Sequence, residues 1–254
     1  MGQSNEESKA LQFIEQAVKM PLVRVNRDEF LVKTFSKSNV NKGQLLEKGP
    51  VELFTTKELD KAADKAINSA LNKSTSASFL SGLPGGIALA ATVPADIAQF
   101  YGFTLRLAQE LSYIYGGKNL FDEDGELSEE SKNTLILYLG VMLGVTAAGS
   151  AVRVMSAKAS QQALKSIPTK SLTKTVYYPV LKKALKVFGV KLTKQNFAKG
   201  VSKIIPLAGG VISGGLNYAS LRPMAKKLKN ELSSAINQTE ENLKEDVIIL
   251  ENLN

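Results

Sequence analysis

Three stretches of the chain, residues 74–95, 133–152 and 204–221, contain no charged side chain. Each is close to the ~20 residues that a helix needs to cross the hydrocarbon core of a bilayer. Such stretches pack together as buried helices of a bundle, dip into one leaflet of a membrane, or span it, and the sequence leaves all three solutions open. The first stretch carries "GLPGG" at residues 82–86 and then Pro94, both of which interrupt a helix. The third is crowded with Gly209, Gly210, Gly214 and Gly215. The second, "NTLILYLGVMLGVTAAGSAV", reads best as one continuous apolar helix. Its Gly140, Gly144 and Ala148 recur every four residues, a spacing that lets two helices approach closely in lipid or in a tight core. Mean hydropathy over the chain is near zero, unlike that of a polytopic membrane protein.

The rest of the sequence is helical in period. Ser4 or Asn5 caps a helix whose Leu11, Ile14 and Val18 share a face. A short amphipathic piece, "VNRDEFLVKTFSK", follows at residues 25–37. Thr55 and Glu58 stand at capping-box spacing ahead of Leu59, Ala63, Ile67 and Ala70, which form one apolar face. A long helix is expected from about residue 87 to 115, bent at Pro94. Ser128, followed by Glu129 and Glu130, starts another, expected to run to about residue 164. Residues 165–178 read as a linker. Pro179 then opens an amphipathic helix with Leu181, Ala184, Leu185 and Phe188 on one side and Lys182, Lys183 and Lys186 on the other. No alternating strand pattern stands out, so the expected fold is all-α: a multi-helix bundle with Gly-rich apolar helices and no significant β-sheet. Its parts are an N-terminal helical extension (1–54), the main helical domain (55–238) and an acidic C-terminal tail (239–254).

Charge is unevenly distributed. Between Glu130 and Glu231 there is no acidic residue but 17 Lys and Arg, leaving 15 basic against 24 acidic residues elsewhere. A block of that sign attracts polyanions, as a membrane leaflet with anionic lipids or as nucleic acid. The aromatics within it are sparse (Tyr177, Tyr178, Phe188, Phe197), unlike a base-stacking platform, and no helix-turn-helix or finger spacing is present. The candidate anion-binding surface is therefore Lys182, Lys183, Lys186, Lys191, Lys194, Lys199 and Lys203, facing a membrane or a partner groove rather than a specific nucleic acid.

Cys and His are both absent, which removes thiol chemistry, disulfides and the commonest general base and metal ligand. A cytoplasmic address suits such a chain. The polar, acidic start reads as no secretory leader, and Glu6 stands where an acylation motif wants Ser or Thr. "FDEDGELSEES" places Asp122, Asp124 and Gly125 as a calcium loop would, but Leu120 and Ser131 occupy the two end-ligand positions, so it reads as an acidic turn plus helix cap. "GLPGG" follows no strand and precedes no Gly-Lys-Ser/Thr, so it is no nucleotide loop. No cofactor or metal is expected.

The most informative charges lie inside an apolar helix. Asp96, Gln99, Phe103, Arg106, Glu110 and Tyr113 step by three or four and share a face. Arg106 and Glu110 form an i,i+4 pair. Asp96 is expected to be buried at the Pro94 bend, accepting freed helix amides, with Asn217 as a second partner. Two readings follow: a polar ladder that sets the register of neighbouring helices, or the lining of a ligand or headgroup pocket formed by Asp96, Gln99, Arg106, Glu110 and Asn217. Asp96 and Glu110 stand too far apart for a cooperating carboxylate pair on an unbroken helix.

"SGLPGGIALAATVPADIAQFYGFTLRLAQELSYIYG", the acidic loop, "AKGVSKIIPLAGGVISGGLNY" and "LRPMAKKLKNEL" together resemble the EcsC family of bacteria. The resemblance covers roughly residues 55–232, most specifically Pro94 to Asp96, Tyr115-Gly116 and the run from Ile205 to Tyr218. It implies a bacterial, helical, membrane-linked protein and carries no active site to transfer. The expected function is a non-enzymatic, peripheral protein at the inner face of the cell membrane. Its basic face binds anionic lipid, and a membrane protein is a further possible partner. The alternatives are a soluble bundle holding a small apolar ligand or lipid between helices, and a carboxylate-dependent enzyme.

Overall fold

A computed structural model describes residues 4–74, 93, 95–158, 174–192 and 215–253. These residues form eleven α-helices and no strand; Phe121 and Leu127 make an isolated antiparallel bridge across the acidic turn. The chain is all-α, as its periodicity implies. In order the helices are α1 (Asn5–Ala17), α2 (Arg27–Thr34), α3 (Lys42–Lys48), α4 (Pro50–Leu53), α5 (Thr56–Ser74), α6 (Ala95–Ile114), α7 (Glu129–Leu143), α8 (Ala148–Lys158), α9 (Lys174–Lys191), α10 (Gly215–Ile236) and α11 (Glu240–Glu251).

The helix starts follow the local chemistry. Ser4 Oγ accepts from the Glu7 amide while the Glu7 carboxylate accepts from the Ser4 amide, a complete capping box. Thr55 and Glu58 make the same reciprocal pair, and the Thr55 amide and hydroxyl hold the Glu58 carboxyl below its ordinary range. Asn26, Asn41, Ser128 and Thr239 cap α2, α3, α7 and α11.

α6 is the axis of the bundle. From residue 97 to 114 every position except Ala98 and Arg106 is buried, as expected of a helix apolar nearly all round. Around it pack α1, α2, α5, α7 and α10. Its polar interior positions are satisfied: Thr104 Oγ1 donates to the Phe100 carbonyl at 2.8 Å, and Ser112 Oγ lies 3.0 Å from the Tyr138 hydroxyl on α7. Phe13, Tyr101 and Phe188 meet edge to face, with centroids 4.8–6.4 Å apart, and tie α1, α6 and α9 together. The acidic segment 239–254 is mostly the helix α11, whose Leu243, Val247 and Leu250 join the same core.

Two expected elements are corrected. The helix opened by Ser128 stops at Leu143 instead of continuing to about residue 164. Gly144 adopts φ +76°, the Val145 amide donates to the Gly140 carbonyl at 2.8 Å, and α8 restarts at Ala148. A left-handed glycine after the last helical residue is the standard stop. The uncharged stretch 133–152 is therefore a buried helical hairpin. Gly140 does allow close approach: a Cβ there would lie 3.0 Å from Ala184 Cβ on α9 and 3.3 Å from Ala148 Cβ. Among the described residues no helix is long and apolar enough to cross a membrane. The second correction is Pro179, which lies inside α9 rather than at its start. Val176, Tyr177 and Val180 are buried, and burial of that size outweighs one lost helix hydrogen bond. Most of the stretches 74–95 and 204–221, and with them "GLPGG" and the Pro94 bend, lie outside the described residues.

The α1–α9 contact depends on Gly189. A Cβ there would sit 2.6 Å from the Glu6 carbonyl carbon and 3.0 Å from its Cα, both backbone atoms that cannot rotate away. Helix propensity alone favours Ala over Gly by about 1 kcal/mol. Gly189→Ala is nevertheless expected to destabilise by about 1–3 kcal/mol through overpacking, and to expose α1 to proteolysis. Urea unfolding checks this; a variant more stable than the parent would refute it.

Candidate functional site

The loop between α1 and α2 is laid across α6 by side chains of α6 itself. Gln109, fully buried, accepts from the Val25 amide at 3.1 Å and donates to the carbonyls of Val23 (2.9 Å) and Leu105 (3.1 Å). One turn away, Arg106 Nη1 donates to the Leu22 carbonyl at 2.9 Å, and its Nε pairs with Glu110 at 2.9 Å. Gly102 leaves room for this loop, since a Cβ there would lie 3.2 Å from a Val23 methyl. At the end of α6, Gly116 (φ +84°) turns the chain, and the Gly117 amide bonds back to the Ser112 carbonyl at 2.8 Å. The turned Gly117 carbonyl then accepts from Arg27 Nε at 3.1 Å. Arg24 lies 4.6 Å from the Phe121 ring centre, a cation–π contact.

These contacts frame an open cleft of about 760 Å³ between α2, α5 and α6. Arg24, Arg27, Lys33, Lys65 and Arg106 line it, opposed by Asp28, Glu29 and Glu110, with Phe30, Ala62, Ala66 and Phe121 supplying apolar surface. Two tyrosines at the C-terminal end of α6, Tyr113 within it and Tyr115 just after it, are held neutral. Burial pushes the Tyr113 phenol up to about 12. Burial first, and the 2.6 Å hydrogen bond to Asp60 next, raise that of Tyr115 far above its ordinary range.

A second feature is the outward face of α9. Lys183, Lys186 and Val190 are exposed, Lys182 and Lys191 are half-buried, and Tyr178 is 53% exposed with Lys182 Nζ 5.3 Å from its ring centre. Between Tyr178 and Val190 the helix rises about 18 Å. Among the described residues none of these four lysines is in an ion pair, whereas Lys19, Lys132, Lys229 and Lys244 each are.

The residues expected to line one polar pocket are thus divided. Arg106 and Glu110 are on the cleft wall as a pair. Gln99 is buried and is not part of the cleft lining. Asp96 is in the first turn of α6 and Asn217 in the first turn of α10, but their side chains lie outside the described residues, as do Lys194, Lys199 and Lys203. Sequence reasoning overlooked Gln109, Arg24 and Arg27. Gln109 has one local sign, three residues after Arg106 on the face already singled out; Arg24 and Arg27 have none.

Comparison of the chain with protein-family models, with curated proteins and with solved structures returned no match.

Proposed function

We propose that the protein is a peripheral membrane-surface binder, not an enzyme, and that the outward face of α9 is where anionic lipid docks. The observation that carries this reading is that α9 bears four lysines with no ion pair among the described residues, together with an exposed tyrosine and an exposed valine. Each lysine near an anionic surface is worth about 1 kcal/mol. Shallow burial of Tyr178 and Val190 adds to that. The sum suits reversible binding rather than permanent anchoring. The acid-free run from residue 131 to 230 places the same sign of charge along much of the chain. The sequence resemblance to the EcsC family, which implies a bacterial, membrane-linked protein, points the same way.

Vesicle flotation tests it. The protein should float with phosphatidylglycerol vesicles, stay behind with phosphatidylcholine vesicles, and detach as salt is raised. Changing Lys182, Lys183 and Lys186 together to Glu should weaken binding by about 100-fold or more, the equivalent of about 1 kcal/mol per lysine. Equal flotation with both lipids, or an unaffected triple variant, refutes the reading.

A further inference from the structure

The cleft between α2, α5 and α6 shares no residue with the α9 surface, and it has the makings of a separate site. Its volume of about 760 Å³ falls within the range of roughly 300–1,000 Å³ typical of small-molecule pockets. Its five cations come from separate places in the chain: Arg24 from the loop, Arg27 and Lys33 from α2, Lys65 from α5 and Arg106 from α6. Only Arg27 and Arg106 are in ion pairs, with Asp28 and Glu110. Arg24, Lys33 and Lys65 have no ion pair among the described residues.

The two paired guanidinium groups are also fixed in place. Arg27 is held by the Gly117 carbonyl and Arg106 by the Leu22 carbonyl, at 3.1 and 2.9 Å. A carbonyl orients a guanidinium without cancelling its charge. Each guanidinium has five N–H donors, and these contacts leave the Nη2 group of both unused. Arg24 is steadied by Phe121. Oriented guanidinium groups with spare donors, joined by exposed lysines, match the tetrahedral oxygens of phosphate. Three cations without ion pairs among the described residues, against the single carboxylate of Glu29, leave the lining with a net positive charge that favours a multiply charged anion over a single carboxylate. Phe30, Ala62 and Ala66 offer surface for an organic body.

The geometry points to a binding site for a small phosphorylated ligand, with Arg24, Lys33 and Lys65 meeting the phosphate charge and Arg27 and Arg106 orienting it. That phosphate belongs to a free metabolite or to a lipid headgroup. Isothermal titration of the full chain with inorganic pyrophosphate should give saturable binding with a Kd below about 1 mM. Lys33 and Lys65 are both exposed, so Lys33→Glu with Lys65→Glu should leave circular dichroism unchanged while weakening binding about tenfold or more. The α9 triple variant should bind pyrophosphate like the parent, which separates this site from the membrane-docking face. Competition by phosphatidylglycerol vesicles in that α9 variant assigns the phosphate to a headgroup; absence of competition assigns it to a soluble ligand. No saturable binding, or binding indifferent to the Lys33/Lys65 reversal, overturns the proposal.

Discussion

Arg153→Ala should be the most damaging single substitution in the described helices, costing about 3–5 kcal/mol. Arg153 is on α8, yet it joins three helices. Its Nε and Nη2 hold both oxygens of Asp246 on α11, at 2.8 and 2.6 Å, and its Nη1 pairs with Glu231 on α10. Asp246 is 3% exposed. Without the guanidinium it would keep one neutral donor, Gln238 Nε2 at 2.7 Å, and no cation. A buried carboxylate left in that state costs far more than the pair itself contributes, because desolvation of the charge is no longer offset. Total stability of a domain is about 5–15 kcal/mol, so the loss is a fifth or more. Arg153→Lys should recover only part, since an ammonium cannot bridge two carboxylate oxygens in one plane. Replacing both partners, Arg153→Met with Asp246→Leu, should recover more, and urea unfolding of the parent, Arg153→Met, Asp246→Leu and the double variant forms the cycle. An Arg153→Ala variant within about 0.5 kcal/mol of the parent would show that the pair is ornamental.

The second large effect is alkaline unfolding. Burial raises the phenols of Tyr101, Tyr113, Tyr115, Tyr138 and Tyr177, that of Tyr113 from 10.0 to about 12. A raised phenol pKa means that the folded chain keeps a proton that the unfolded chain releases. The associated stability is complete below pH about 10 and is lost as pH climbs toward the folded value. For each such phenol the slope is about 1.4 kcal/mol per pH unit inside its window. Several windows overlap just above pH 10, so the sum should exceed the whole stability before Tyr113 reaches its own midpoint. Lys132 acts in the same direction, because Glu15 holds its amine above the ordinary value. Circular dichroism and tyrosinate absorbance should therefore change together in one steep transition. Tyr113→Phe should make the transition shallower by about one proton. Tyrosinate appearing near pH 10 with the helices intact would contradict this account.

How much of this was legible beforehand depends on the range of the interaction. Ser4 with Glu7, Thr55 with Glu58 and Ser128 at its helix start are contacts over three residues, and their chemistry can be read without a structure. The Leu59, Ala63, Ile67, Ala70 face is equally local. Gly144 was misread because glycines four apart look the same within a helix as at its end; the difference lies in φ, which depends on where the next helix finds its partner. Pro179 was misread because propensity speaks for one turn only, while Val176 and Tyr177 answer to a distant core. The short helices α3 and α4 have too few turns to show a period. The cleft was hidden for a further reason. Arg24 and Arg106 lie far apart in sequence, and their segments are brought together by the grip of Gln109 on the Val23–Val25 backbone and of Arg106 on the Leu22 carbonyl.

The packing of α1 has a bearing on biosynthesis. Phe13 is completed by Tyr101 and Phe188, and Gly189 is shaped to receive the backbone at Glu6. The second half of that seat leaves the ribosome long after the first helix. At about 5–20 residues per second the interval is on the order of 10–35 s. Throughout it the nascent chain displays Phe13, Ile14 and Ala17 with their site half built. That window invites a chaperone, or an early encounter with the membrane, before the native partner exists.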